Sequence, residues 1–310
     1  MSVIKPEQIK QLETDIKLNF QAGQESKKVD KSHEAFTMVV PSSSASNTYE
    51  WLGEMVDVKE WVGPRKPGNV QMFVYQVHNK SWENSLQVRE DEVMNNQLAG
   101  KYLNAQALGQ KIMSHPAKLV FEAMAKGHLN PCYDGQNFFD TEHPVYENND
   151  GTGAVTRVSN NDVGDDPDAL AWFLFDTTDI IQPFVFQPRT NVRFMTNGKS
   201  EESEAFFMDK VIKFGADYYG NVGYGLWCKA YRSTQPLTAE NIEKAYTAMT
   251  GFEANGGTNL EVTPNLLVVP ASMKFQAAKI LKAKTINGTD NTLYDLLEVL
   301  ESPKINKVPK

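Results

Sequence analysis

At 310 residues, with 41% hydrophobic and 23% charged side chains, the chain carries enough apolar material for one large or two modest domains. A net charge of −8 excludes tight non-specific gripping of a nucleic-acid backbone, although a local basic patch stays open. Two cysteines, Cys132 and Cys228, without CxxC spacing exclude a disulfide framework and a four-cysteine zinc site. No stretch is long and apolar enough to span a membrane as a helix, and the N-terminus lacks the apolar core of a signal peptide, so a cytosolic protein is expected.

The first element is a helix over residues 5–20, with Pro6 in its first turn and Ile9, Leu12, Ile16 and Phe20 at helical spacing. The polar run QAGQESKKVDKSH behind it offers no local core, so this helix reads as an arm that docks elsewhere. PSSSASNTY, 41–49, reads as a linker or extended segment. NVQMFVYQVHNKSWENSLQVRE, 69–90, alternates like two strands joined at His78–Ser81, a long β-hairpin. A two-stranded ribbon is marginal alone in water and needs a neighbour.

A long helix is expected from Glu90 to Ser114, with Gly100 and Gly109 placed for close backbone packing. Pro116 then opens a second helix that stops at Gly127 as a left-handed cap. The acidic, Asn- and Gly-rich stretch 148–168 reads as a solvated loop. Buried strands follow over 171–194, broken by Pro183 and Pro188, and more strand with Gly-rich turns over 204–233. Thr238 caps a helix with the face Ile242, Ala245, Tyr246 and Met249, ending at Gly251. NLLVVPASMKFQAAKILKA is a strand, a turn and a helix, and LYDLLEVLESPKI supplies a last strand. Helices and strands mix without regular βαβ alternation, so the class is α+β.

Chemistry is concentrated in NPCYDGQNFFDTEHPVYENNDG, 130–151, which holds Cys132, Asp134, Asp140, Glu142 and His143. Zinc there lacks the paired short spacing of recognised sites, and the EF-hand pattern is absent from the acidic loop that follows. The alternative is a structural loop: Asp134-Gly135 makes a tight turn, Phe138 and Phe139 enter a core, and Asp140 caps the turn into His143-Pro144. There is no GxSxG, P-loop or GxGxxG motif, and the five histidines are scattered. Lys80 reads as a solvated turn lysine. No cofactor is expected, and Phe138 and Phe139 are expected to matter more than Cys132 and His143.

Several stretches in one order carry a resemblance. VVPSSSASNTYEWLGEMVDVKEWVG (39–63), CYDGQNFFDTEHPV (132–145), WFLFDTTDIIQPFVFQPR (172–189), FGADYYGNVGYGLWCKAY (214–231) and LTAENIEKAYTAM with PNLLVVP resemble the major head (capsid) subunits of Mu-like phages and prophages. The resemblance covers nearly the whole chain.

It implies the Hong Kong 97-type capsid fold, a non-catalytic shell subunit around double-stranded DNA, and residence in the virion head after assembly in the host cytoplasm. The implied map is an N-terminal arm over 1–48, an extended loop over 49–89, a peripheral domain with a spine helix over 90–236, an axial domain over 237–283 and a C-terminal strand and tail over 284–310. Ile9, Leu12, Ile16, Phe73, Tyr75, Lys80 and Trp82 are then expected to make contacts between subunits, and Asp134, Gly135, Phe138 and Phe139 to form the structural loop. The implied partners are further copies in pentamers and hexamers, a portal, a decoration protein, non-specifically packaged DNA, and no membrane. The segment before the hairpin is too short for a scaffolding domain, so scaffold and maturation protease are expected to be separate proteins. Excising residues 72–86 is expected to leave soluble protein that forms no shells. An encapsulin-like compartment of the same fold and a metal-dependent enzyme built on 132–143 are the alternatives.

Overall fold

The computed structural model describes residues 5–50, 74–166, 169–197, 208–286 and 288–306. In chain order the first half contains α1 (Pro6–Gln24), β1 (Thr37–Val39), β2 (Ser46–Tyr49), β3 (Tyr75–His78), β4 (Lys80–Arg89), α2 (Glu90–Met94), α3 (Ala99–Met113) and α4 (His115–Ala125). There follow β5 (His143–Tyr146), β6 (Val155–Val158), β7 (Asn161–Asp162), β8 (Trp172–Phe175), β9 (Phe184–Pro188), β10 (Arg193–Thr196), β11 (Val211–Tyr224) and β12 (Ala230–Ser233). The last part holds α5 (Ala239–Thr250), β13 (Leu266–Pro270), α6 (Lys274–Leu281), β14 (Thr285–Ile286), β15 (Thr289–Asp290) and β16 (Glu298–Ser302). The class is mixed α+β.

Two sheets organise the body. In the first, β11 is the axis: β4 pairs antiparallel with Val211–Gly220 along one edge, and β9 pairs antiparallel with Gly220–Tyr224 on the other. β10 follows β9 along that second edge over Phe214–Asp217, and β1 adds to β9 in parallel. The second sheet runs β16–β13–β8–β12–β7 and is fully apolar at its centre, where Trp172, Phe173, Leu174 and Phe175 are all buried. It joins strands from both sides of residues 236 and 283, the expected domain limits.

The N-terminal helix is not a detached arm. Ile9, Leu12, Ile16 and Phe20 form one stripe on α1 and are buried within this chain, in clusters with Ala105 and Ile112 of α3 and with Ile212, Phe214, Ala216 and Tyr218, the alternate residues of β11 that share one face. Two glycines let α1 and α3 approach: a Cβ on Gly109 would stand 2.1 Å from Phe20 O, and one on Gly23 would stand 2.0 Å from Gln106 O. Gly100 faces open space, so it has no such part. The amphipathic pattern identified a buried face correctly but could not say what covers it.

The expected hairpin over 69–90 is also redrawn. One residue, Asn79, separates β3 from β4, and the two strands take different partners: β3 pairs with β2, and β4 with β11. Alternation marks strands, whereas pairing is decided by distant sequence. The expected spine helix over 90–114 is broken as well. After α2 the chain turns through Asn96 at φ 54°, a left-handed conformation that asparagine tolerates, and α3 begins at Ala99. Gly127 is not a left-handed cap. Its hydrogen leaves room for an aromatic ring, since a Cβ there would come within 2.7 Å of Phe139 Cδ2. The glycines of 215–223 sit inside β11 rather than in turns; a Cβ on Gly223 would strike Val77 Cγ2 at 2.4 Å. The acidic stretch after 148 is partly ordered, for β6 pairs with β5 and β7 with β12.

The C-terminal end returns to the N-terminal region. Lys304 pairs with Asp30 and lies 5.5 Å from the centre of the Phe121 ring on α4. Burial alone would raise the Asp30 pKa, but hydrogen bonds from Lys304 and Ser32 and the Lys304 charge hold it at about 2, against 3.8 ordinarily. A depressed carboxylate contributes stability above its unfolded pKa and loses it as pH falls through the folded one. Between pH 4 and 2 the wild-type chain should lose about 1 to 2 kcal/mol more stability than Asp30→Asn, after allowance for solvent screening. Urea denaturation of both at stepped pH measures the difference.

Candidate functional site

Two places in the molecule combine buried polar groups with elements that sequence reasoning singled out. The first is the root of the segment between β2 and β3. Here Ser46–Tyr49 runs antiparallel to Tyr75–His78, and Tyr49 stands directly opposite Tyr75. The chain between those tyrosines therefore leaves and re-enters the body at one point.

A fully buried glutamine holds this root. Gln187, on β9, accepts a hydrogen bond from the Tyr49 hydroxyl at 2.8 Å and donates to Val77 O at 3.2 Å and Asn79 Oδ1 at 2.9 Å. Tyr75 is half-buried and its hydroxyl accepts from the Tyr224 amide at 3.0 Å. Val74, just before β3, is 75% exposed. Of the residues expected to contact other subunits, Ile9, Leu12 and Ile16 are instead buried within this chain, and Phe73 lies outside the described residues. Trp82 is half-buried and donates its Nε1–H to Gly220 O at 2.9 Å. Lys80 is exposed. Trp82 also lines an open cleft of about 860 Å³ with Leu108, Ile112, His115 and Tyr218.

The second place is the loop after α4. Gly135 at φ 85° makes the turn, closed by Cys132 N–H donating to Gln136 O at 2.8 Å. Phe138 and Phe139 then enter the core, where Phe138 stacks on Tyr224 with ring centres 4.6 Å apart. Asp140 Oδ1 accepts from the amides of Thr141 and Glu142, which aims the chain into β5 and His143.

His143 is wholly buried and lies flat on Trp227, ring centres 4.1 Å apart. Its Nδ1 is 2.6 Å from Asp134 Oδ2, and its Nε2 is 3.2 Å from Asn160 Oδ1. Cys132 donates its S–H to Asp134 Oδ1 at 3.1 Å. Among the described residues, Cys132 Sγ, a carboxylate oxygen of Asp134 and a ring nitrogen of His143 thus lie within 4.8 Å of one another. Linear spacing gave no hint of Asn160 or Trp227, which complete this node from distant positions.

The electrostatics favour a fixed node over a reactive thiol. Burial would raise the Asp134 pKa, but hydrogen bonds from His143, Cys132 and the Gln136 amide, with the charge on His143, hold it below the usual range. Burial, reinforced by the Asp134 charge, pushes the Cys132 thiol well above the usual range. A nucleophilic cysteine needs the reverse: a base or cation that draws off its proton. A second buried ion pair joins Lys229 Nζ to Asp176 Oδ2 at 2.8 Å, with the exposed Asp179 as a further partner at 3.2 Å.

Comparison with known proteins gives a concordant result. A family model described as the Mu-like prophage major head subunit gpT matches residues 9–305. The major capsid protein of Escherichia phage Mu is 33% identical over 291 residues, 94% of this chain and 94% of that protein. Among solved structures, the procapsid of bacteriophage JBD30 matches with a TM-score of 0.83 at 36% identity, covering 97% of this chain and 100% of that one. The JBD30 capsid decorated with minor capsid protein trimers matches with a TM-score of 0.75 at 29% identity, over 91% of this chain and 93% of that one.

Proposed function

As the chain belongs to the Mu-like prophage major head subunit family, and so is a structural, non-catalytic component of a phage head shell, we propose that the β2–β3 pair is the root of an extended loop that reaches a neighbouring subunit. The observation that carries this reading is the register itself. Tyr49 opposite Tyr75 fastens both ends of the segment to one buried anchor, Gln187, while Val74 already faces outward. A segment rooted in this way would gain stability by lying on another copy, and head-to-tail contacts of that kind close into rings.

On the same reading the subunit has the Hong Kong 97-type layout. The sheet around β11, with α1, α3 and α4, is the peripheral part, and the sheet around β13, with α5 and α6, is the axial part. Copies of the chain form pentamers and hexamers of the lattice. A portal, a separate scaffold and a separate maturation protease act on it, and decoration trimers like those on the JBD30 capsid are a further partner. The charge of −8 suits a wall that encloses DNA without gripping it.

The excision of 72–86 is a poor test, because it removes most of β4 and with it the main partner of β11. The better variant replaces residues 51–73 by a short Asn-Gly turn between the paired strands. It should melt with the cooperativity of wild type by circular dichroism yet give no closed particles by negative-stain microscopy. Normal shells from a folded variant would show that the segment does not link subunits.

A further inference from the structure

Cys132, Asp134 and His143 lie outside the β2–β3 root on which the reading above rests, and Asn160 joins them into one node. Asn160 defines the state of the imidazole. Its Nδ2 donates to the carbonyls of Phe138, Trp227 and Ala230 at 2.9, 3.1 and 3.2 Å, which fixes the orientation of the amide. Its Oδ1 therefore faces His143 Nε2, and that nitrogen carries a hydrogen. Nδ1 lies only 2.6 Å from Asp134 Oδ2, the separation of a charge-assisted hydrogen bond. A metal ion could take the place of the bridging proton once Nδ1 and the carboxylate move apart, and the Cys132 sulfur lies close enough to be a third ligand atom.

We propose that Cys132 Sγ, an Asp134 carboxylate oxygen and His143 Nδ1 form a structural zinc site that ties the loop after α4 to β5. Sulfur, nitrogen and oxygen together are a donor set that zinc accepts, at about 2.0 to 2.3 Å from a common centre. The hydrogen bond from His143 Nε2 to Asn160 is the outer contact that orients a ligating imidazole. A cavity of about 60 Å³ lined by Asp134, Trp227, Cys228 and Glu253 adjoins the Asp134 side of the site and is large enough to hold water. Binding releases two protons, one from the Cys132 thiol and one shared between Nδ1 and the carboxylate. The short Cys132-x-Asp134 pair supplies two ligands from one turn, and His143 joins them because β5 starts beside it.

The test uses the full-length chain, incubated with zinc chloride and dialysed against metal-free buffer. Retained metal is then counted by mass spectrometry for wild type, Cys132→Ser, Asp134→Asn and Cys228→Ser. Wild type and Cys228→Ser should keep one zinc per chain, while Cys132→Ser and Asp134→Asn should lose most of it. Cobalt chloride used instead should give wild type a thiolate-to-metal charge-transfer band that Cys132→Ser lacks. The band is read on wild type, so it decides the matter even where a variant fails to fold. No cobalt–thiolate band in wild type, wild-type zinc no higher than in Cys132→Ser, or equal loss in Cys228→Ser would each overturn the proposal.

Discussion

Phe138→Ala should cost ~3–5 kcal/mol of subunit stability, enough to consume much of what a domain of ordinary stability possesses. The ring is fully buried. It stacks on Tyr224 at 4.6 Å, meets Phe139 edge-on at 4.8 Å and lies 5.2 Å from Phe184, so three aromatic residues lose a shared centre when it is cut back. Rigid neighbours cannot collapse into the gap: Tyr224 is held by hydrogen bonds with Ala123 O and Asn130, and Phe184 is paired into the sheet. The residual cavity therefore adds its own penalty to the lost transfer energy. Leu129→Ala, at a mostly exposed position of the same loop, serves as the control and should stay within about 0.5 kcal/mol. Urea denaturation of unassembled subunits measures both. A Phe138→Ala loss below about 1 kcal/mol would mean that this core can repack.

The second large effect belongs to Asp176→Ala, also expected at about 3–5 kcal/mol. The carboxylate is fully buried and saturated: Oδ2 accepts from Lys229 Nζ and the Thr263 amide, and Oδ1 from the Thr178 amide and hydroxyl. Its removal leaves Lys229 buried with only the exposed Asp179 to answer its charge. Asp176→Leu with Lys229→Met removes both charges and should recover most of the loss, because the penalty lies in the uncompensated ion. Acid provides an independent readout. Burial would raise the Asp176 pKa, but hydrogen bonds from Lys229, Thr178 and Thr263 hold it below the usual range. Its contribution is thus present at neutral pH and disappears as pH drops through the folded pKa, so the acid limb of stability should be shallower in the double variant. A double variant no more stable than Asp176→Ala would locate the damage in packing instead.

The faces of elements were legible in the sequence, and their partners were not. The stripe Ile9, Leu12, Ile16, Phe20 reads as one side of a helix from spacing alone, but only the register of β11, about two hundred positions later, shows what lies beneath it. Val77 and its neighbours read as strand, yet whether they pair with residues 80–89 or 46–49 depends on contacts that Gln187 and Gly223 supply. Glycine was ambiguous for the same reason: Gly109 serves a close helix crossing, Gly127 makes room for a ring, and Gly100 does neither. The cluster of 130–143 was visible as residue types. Its convergence on Asn160 and Trp227 was not, because a hydrogen-bond node made by four separate loops and strands has no period to detect.

The single residue between β3 and β4 has a mechanical consequence. Tension applied along β3 passes through Asn79 directly into Lys80, the first residue of β4. β4 lies alongside β11 through ten successive register pairs. A pull along its axis loads those hydrogen bonds together in shear, whereas the same force at the β2–β3 root would open pairs one after another. The loop root can yield like a zipper while the strand behind it holds like a lap joint, so the two halves of this connection answer one load in different ways.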